Sequence, residues 1–267
     1  MGIFDTLITQ PLGYIIKLIY SFTGNYGVSI ILFTIITRII LLPLSIKQQK
    51  SLSKTQKLSP LLEELKKKYK NDKDKLNQET VKLYQKYKIN PMGGCLPLII
   101  QLPILFGLIQ VIYKPVSYIM GLNVDEVLTR FPDVSPTGLV QIELAKRLGE
   151  INFNFMGIDL SAIPNYTVIS VLWIIPLLAA FATYLTGKVS ANSQATNSGG
   201  ANDQAQQMSK SMTTIFPIMT LFFTFTMPVA ASLYWFTSSI VQVIQQYVLT
   251  KVIRSDDLII EEGGKKR

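Results

Sequence analysis

The sequence predicts an all-α fold: a polytopic membrane protein of five transmembrane helices with a helical hairpin outside the bilayer. Three features carry this. Apolar residues fill 48% of the 267 positions, an ordinary fraction for a globular protein, but they cluster in long runs separated by dense charge. The run Tyr26–Ile46 holds Arg38 as its single charge and has the ~20-residue length of a helix that crosses a bilayer. Between Lys47 and Asn90, thirteen Lys stand against five acids, a local charge of +8 in a chain whose total is +9.

Each segment has its own signal. In residues 1–24, Ile3, Phe4, Leu7, Ile8, Ile15, Ile16 and Ile19 recur between polar positions. That pattern suits an amphipathic helix at a membrane surface, or one packed on a bundle. No cleavable signal peptide is read in Met1–Tyr20, which lacks a basic start and a small-residue cleavage site. Residues 25–47 form the first span. Residues 48–90 form the Lys-rich hairpin. Leu58, Leu61, Leu62, Leu65 and Tyr69 mark its first helical stripe, with Ser59 as N-cap and Pro60 in the first turn. Leu76, Leu83, Tyr84 and Tyr87 mark the second, and Asn71–Asp74 is the turn between them.

Residues 91–118 form the second span, where Pro97 and Pro103 free carbonyls that need polar neighbours. Residues 119–165 read as a mixed loop of scattered, solvated charges with one short helix at Val140–Leu148. Residues 166–187 form the third span and 188–209 a low-complexity, flexible linker. Residues 210–229 and 232–253 form the fourth and fifth spans, joined by a tight turn, and 254–267 a basic tail. The positive-inside rule places the hairpin, linker and tail in the cytoplasm, and the N-terminus and the 119–165 loop outside. The expected location is a bacterial plasma membrane, crossed several times.

At ~1.5 Å per residue, Arg38 lies near the bilayer midplane, where a charge costs about 3 kcal/mol on insertion scales. No Asp, Glu or His stands in any of the five spans to neutralise it. Either its stem snorkels to an interface, or water and another molecule reach it. Thr34, Thr37, Arg38, Leu41 and Ser45 share one helical face, and Trp235, Ser239, Gln242 and Gln246 form a second polar stripe on the fifth span. The hairpin's lysines have two readings: a topology signal, or a docking surface for anionic lipid, RNA or a partner protein.

Several chemistries are excluded. The chain has no His, and Cys95 is its single Cys. No Ser-His pair, paired Asp or zinc-ligand set is legible, and no Gly-rich loop leads into Lys-Ser or Lys-Thr. The expectation is a protein that is not an enzyme, with no catalytic residue, metal or cofactor.

The run from Thr37 to Leu108, which contains TRIILLPLSI and NPMGGCLPLIIQLP, resembles the YidC/Oxa/Albino family of membrane-protein insertases, in its Gram-positive type. So does LYWFTSSIVQVIQQYVLTK in the fifth span. The resemblance covers about Gly24 to Lys251. The 119–165 loop is longer than the family pattern suggests, and the large periplasmic domain and N-terminal lipoprotein Cys seen in some members are missing. The resemblance implies a hydrophilic groove open to cytoplasm and lipid, with Arg38 as its positive charge. Thr34, Thr37, Gln101, Thr183, Trp235, Ser239 and Gln242 are the expected lining positions. It also implies nascent membrane proteins as clients, with the ribosome, the Sec translocon and anionic lipids as partners and no small-molecule substrate. The competing reading is a secondary transporter or channel for a small anionic solute. Against it, no intramembrane acid is available for ion coupling.

Overall fold

A computed structural model describes residues 2–87, 96–135, 138–195 and 203–264. Most of them are helical. The order is a π-turn at Asp5–Thr9, then α1 (Gln10–Thr23), α2 (Tyr26–Ile40), α3 (Leu42–Lys57), α4 (Ser59–Lys68), α5 (Lys73–Lys86) and α6 (Leu96–Tyr113). A second π-turn (Val116–Met120) leads to α7 (Val124–Arg130) and α8 (Val140–Leu148). A hairpin of β1 (Asn154–Phe155) and β2 (Ile158–Asp159) precedes α9 (Ile174–Ala195), α10 (Asp203–Thr226) and α11 (Val229–Gly264).

Helix breaks follow from proline chemistry. Pro43 has no N–H for the carbonyl of Ile39 and its ring crowds that turn, so the first apolar run stops at Ile40, turns at Leu41 and resumes as α3. Pro115 ends α6 in the same way, and the chain passes into a wider π-turn at Val116–Met120 instead of continuing as α-helix to residue 118. Among the described residues, Val171–Ser190 is long and apolar enough to cross a membrane, and Tyr26–Ile40 with Leu42–Ser51 passes as one broken span. Gln101–Tyr113 and Thr213–Thr226 are apolar but shorter.

The chain divides into two compact units. The first comprises Met1–Ile39, Ile99–Ala182 and Met219–Ser239. Its core joins Ile16 of α1, Tyr26, Ile30 and Phe33 of α2, Leu108 and Val111 of α6, and Val229 and Leu233 of α11. Val127, Leu144, Ala145, Phe153 and Leu160 belong to the same core. The 119–165 segment is therefore a folded cap rather than the solvated loop expected, because it carries its own buried apolar set.

The cap also completes two helix ends. The first N–H groups of a helix lack intrahelical acceptors. Here the Tyr26 N–H donates to Asn152 O (3.1 Å), and those of Val229 and Ala230 donate to Ala162 O and Leu160 O (both 2.9 Å). Asn25 caps α2 by accepting from the Val28 N–H (3.1 Å) and donates from Nδ2 to Asn154 O (2.9 Å). Gly27 permits the fit: a Cβ there would lie 2.5 Å from Phe155 Cγ.

The cap's charges are surface ion pairs. Arg147 bonds Asp133 (2.6 Å) and Glu143 (3.1 Å), and Lys146 bonds Asp159 (3.0 Å). The Arg147 bond holds the Asp133 carboxyl below its ordinary value. Partial burial would raise Asp159, but the Ser161 hydroxyl and Lys146 outweigh it and hold that carboxyl low as well. A depressed folded pKa contributes stability that is present above the unfolded value and lost as pH falls through the folded one. The cap should therefore lose stability on acidification below the ordinary carboxylate range. Because these groups are largely exposed, the change should be modest and weaker in high salt. Melting temperature against pH tests this: Asp133→Asn with Asp159→Asn should flatten the acid limb, and an unchanged limb would show that the pairs contribute nothing.

The second unit comprises Ile40–Leu98, Thr183–Ile218 and Ile240–Arg267. In it α4 and α5 form the expected hairpin, with Leu58 and Leu62 buried against Leu61, Leu83 and Tyr84. Asp72 caps α5 by accepting from the Lys75 N–H (2.9 Å). The N-cap position of α4 is Leu58 rather than Ser59, and Pro60 sits in the first turn. Lys68 and Lys75 lie over the Tyr69 ring, 5.5 and 5.8 Å from its centroid.

The segments read as linker and tail correct the expectation. Residues 188–195 continue α9, 203–209 open α10, and α11 runs to Gly264. Ala and Gln are good helix formers, and Gly187 costs only ~1 kcal/mol inside a long helix. The Ser190 hydroxyl also donates to Gln246 Oε1 of α11 (3.1 Å). Residues 196–202 lie outside the described residues, as does the whole of NPMGGC at residues 90–95. At the other end of the third span the helix starts late, in a 3-10 turn at Val171–Trp173 rather than at residue 166.

Candidate functional site

The site grows from Arg38, in the last turn of α2 and half-buried. Its Nη2 donates to the Ser238 hydroxyl of α11 (2.5 Å). Tyr234 lies one helical turn before Ser238 on the same helix, and its Oη accepts from Gln101 Nε2 of α6 (2.6 Å). Three helices thus contribute to one polar cluster of Arg38, Ser238, Tyr234 and Gln101, all within the first unit. Ser238 and Tyr234 are nearly inaccessible, at 6% and 3% exposure, so these bonds form where an unmet polar group is costly.

The other expected lining positions divide. Thr34 is buried, and its hydroxyl donates back to Ile30 O (2.7 Å). Thr37 donates to Phe33 O (3.0 Å) and Thr34 O (2.9 Å). Both hydroxyls are folded onto their own helix, the usual fate of Thr inside a helix in an apolar setting. The stripe they begin does not continue along one helix, because Leu41 interrupts it and Ser45 lies on α3, where it bonds Leu41 O (3.1 Å). Trp235 is half-buried and Ser239 buried in the first unit. Thr183 and Gln242 belong to the second unit. In that unit Gln49 Nε2 donates to Thr250 Oγ1 (3.1 Å).

Sequence reasoning missed Tyr234 and Ser238. It chose the stripe Trp235, Ser239, Gln242, whereas the residues that meet Arg38 and Gln101 lie one position earlier, a rotation of about 100° on an α-helix. The available signal was the i, i+4 spacing of Tyr234 and Ser238, two polar groups on one face.

This arrangement presents a fixed cation with directional donors. A guanidinium carries five N–H groups in a planar fork and binds carboxylates well. Among the described residues no group of His, Cys, Asp and Glu is placed to hold a metal ion.

Residues 18–256 match the family of the 60Kd inner membrane protein. The chain belongs to this family. It is 35% identical over 251 residues to the membrane protein insertase YidC of Fusobacterium nucleatum, covering 94% of this chain and 98% of that one. The YidC of Caldanaerobacter subterraneus is 34% identical over 93% of this chain and 98% of its own length. The YidC of Rickettsia rickettsii is 30% identical, but the match covers only 39% of that longer protein. A solved structure of an active YidC insertase, with its first transmembrane domain resolved, aligns with TM-score 0.58 and 27% identity over 92% of this chain. The chain spans 47% of that structure. Members of the family named YidC are membrane protein insertases, so the chain is a membrane protein of an insertase family.

Proposed function

We propose that the chain inserts nascent membrane proteins into the plasma membrane of a bacterium, alone or with the Sec translocon. The single observation that supports this beyond the family is the polar cluster at Arg38, in helices otherwise built for lipid. In this reading five spans enclose a hydrophilic groove open to the cytoplasm and to lipid. The client's polar tail enters the groove and is attracted to Arg38. Its apolar span then slides along the wall into the bilayer, driven by burial at about 25 cal/mol per Å². No nucleotide or cofactor takes part. Thr183, Trp235, Ser239 and Gln242 line the path, while Tyr234, Ser238 and Gln101 hold the guanidinium in place. Thr34 and Thr37 widen the polar face only if their hydroxyls leave their own helix.

The Lys-rich hairpin receives the client at the cytoplasmic side. Its charge suits ribosomal RNA or anionic headgroups, and salt should weaken that attraction. Proteoliposomes carrying the chain should insert a ribosome-bound single-span client, and a photo-crosslinker at Gln242 should capture it. Deleting Leu58–Tyr87 should slow insertion while the rest stays in the membrane. A normal rate in the deletion protein would reduce the hairpin to a topology signal, and no insertion by the intact chain would overturn the reading.

The topology has its own check. A cysteine replacing Lys68 should be labelled from the cytoplasm alone, and one replacing Asp133 from outside alone. Labelling of both from the same side would overturn the five-span arrangement.

A further inference from the structure

Two stretches of the chain wind into π-turns, Asp5–Thr9 and Val116–Met120. Such turns are rare and concentrate at functional sites. Here they are tied together. The Tyr118 hydroxyl donates to the Asp5 carboxylate (2.5 Å). Gly13 of α1 lets the second turn approach closely, since a Cβ there would lie 2.8 Å from Tyr118 Cβ. A hollow opens beside this contact, lined by Thr6, Gln10, Tyr14, Lys17, Ser117 and Tyr118. Nothing in the groove reading uses it.

The chemistry of the lining is specific. Lys17 is the sole cation among the first 37 residues. An ammonium has three donors, and the Met120 carbonyl, 3.3 Å away, engages one of them and holds the group at the hollow. Thr6, Gln10, Tyr14 and Ser117, all with polar side chains, line the same hollow together with Pro11. Asp5 already accepts from Tyr118. Beside this hollow runs an apolar strip that starts before the first π-turn and continues along α1: Ile3, Leu7, Tyr14, Leu18 and Phe22 are exposed and repeat at helical spacing. A cation in a hollow lined by polar side chains, next to an uncharged strip, matches a ligand with an anionic head and apolar tails.

We propose that this hollow binds the phosphodiester headgroup of a membrane phospholipid, whose acyl chains lie along this exposed strip. The lipid pins the two π-turns, and with them α1, to the outer leaflet. The inference rests on the proposed placement of α1 at the outer membrane surface, and the test separates the two.

The test uses the full chain in nanodiscs of phosphatidylglycerol and phosphatidylcholine. Phosphatidylglycerol analogues carry a photoreactive group either on the headgroup or at the acyl terminus, and crosslinks are mapped by peptide mass spectrometry. The headgroup analogue should label peptides containing residues 6–17 or 117–118. Lys17→Gln should lower that labelling about fivefold, while Lys17→Arg retains it. Labelling of the Lys-rich hairpin in the same sample should not change. Equal labelling of α1 in Lys17→Gln, equal labelling by a phosphate-free glycolipid analogue, or full competition by inorganic phosphate would overturn the lipid site. Absence of acyl-terminus crosslinks anywhere on α1 would instead overturn its surface placement, and the site with it.

Discussion

Arg38→Ala should reduce insertion of acidic-tailed clients by about ten- to a hundredfold, the range that follows from losing a hydrogen-bonded charge contact of roughly 1.5–3 kcal/mol. Clients with neutral tails should be nearly unaffected. In the proposed groove the guanidinium stands within otherwise apolar helices, so its attraction to a carboxylate is screened less than in bulk water. Arg38→Lys should keep part of the activity, because the charge remains but the planar fork that pairs two oxygens at once is gone. Ser238→Ala gives a finer test. It leaves the charge in place and removes the hydroxyl 2.5 Å from Nη2, so it should produce an intermediate loss, again confined to acidic tails. The assay is protease protection of the translocated tail in vesicles, with matched clients whose tail acids are kept or neutralised. If Arg38→Ala impairs acidic and neutral tails alike while the protein stays folded, the charge is structural and the groove has no electrostatic preference.

Gly27→Val should destabilise the first unit by about 1–3 kcal/mol, the usual cost of forcing extra carbons into a packed contact. The added Cβ would meet Phe155 Cγ and Cδ2 at 2.5 Å, so the contact must open. Gly27 lies in the first turn of α2, and Phe155 on the strand that leads into the hairpin turn at Met156-Gly157. Pushing them apart also strains the bonds from Tyr26 N–H to Asn152 O and from Asn25 Nδ2 to Asn154 O. The readout is the melting temperature in detergent, together with proteolysis of the 119–165 segment, which should become sensitive. Phe155→Ala should restore much of the loss when combined with Gly27→Val, since the two substitutions couple through one contact. Additive losses in the double variant would place the damage elsewhere.

Much of the molecule was legible without coordinates because the signals are local. The amphipathic stripe of Leu58, Leu61 and Leu62 and the short helix Val140–Leu148 rest on neighbours within a few residues, and the structure has both. The turn read at Asn71–Asp74 lies slightly earlier, at residues 69–72, because Asp72 caps α5 and Lys73 already begins it. Arg38 as the centre of the candidate site was legible for a similar reason: one charge in ~20 apolar residues stands out against the cost of placing it there. The break at Leu41 was signalled by Pro43, but a count of apolar residues passes over it.

What the sequence by itself determined is the class of the chain: helical, made for a bilayer, with one basic helical hairpin and a lone cation in an apolar run. Hydropathy and charge depend on composition along the chain, and composition suffices for them. Only the tertiary structure decided which side chains meet that cation. Trp235 and Tyr234 differ by one position in sequence and by about 100° around α11, and both faces mix polar with apolar residues, so periodicity could not choose between them. The same holds for the cap. Leu144, Phe153 and Leu160 look like scattered apolar residues in a charged loop until α2 and α11 supply the core they share and the N–H groups their carbonyls receive. Those contacts join segments far apart in the chain, and packing, not local propensity, selects them.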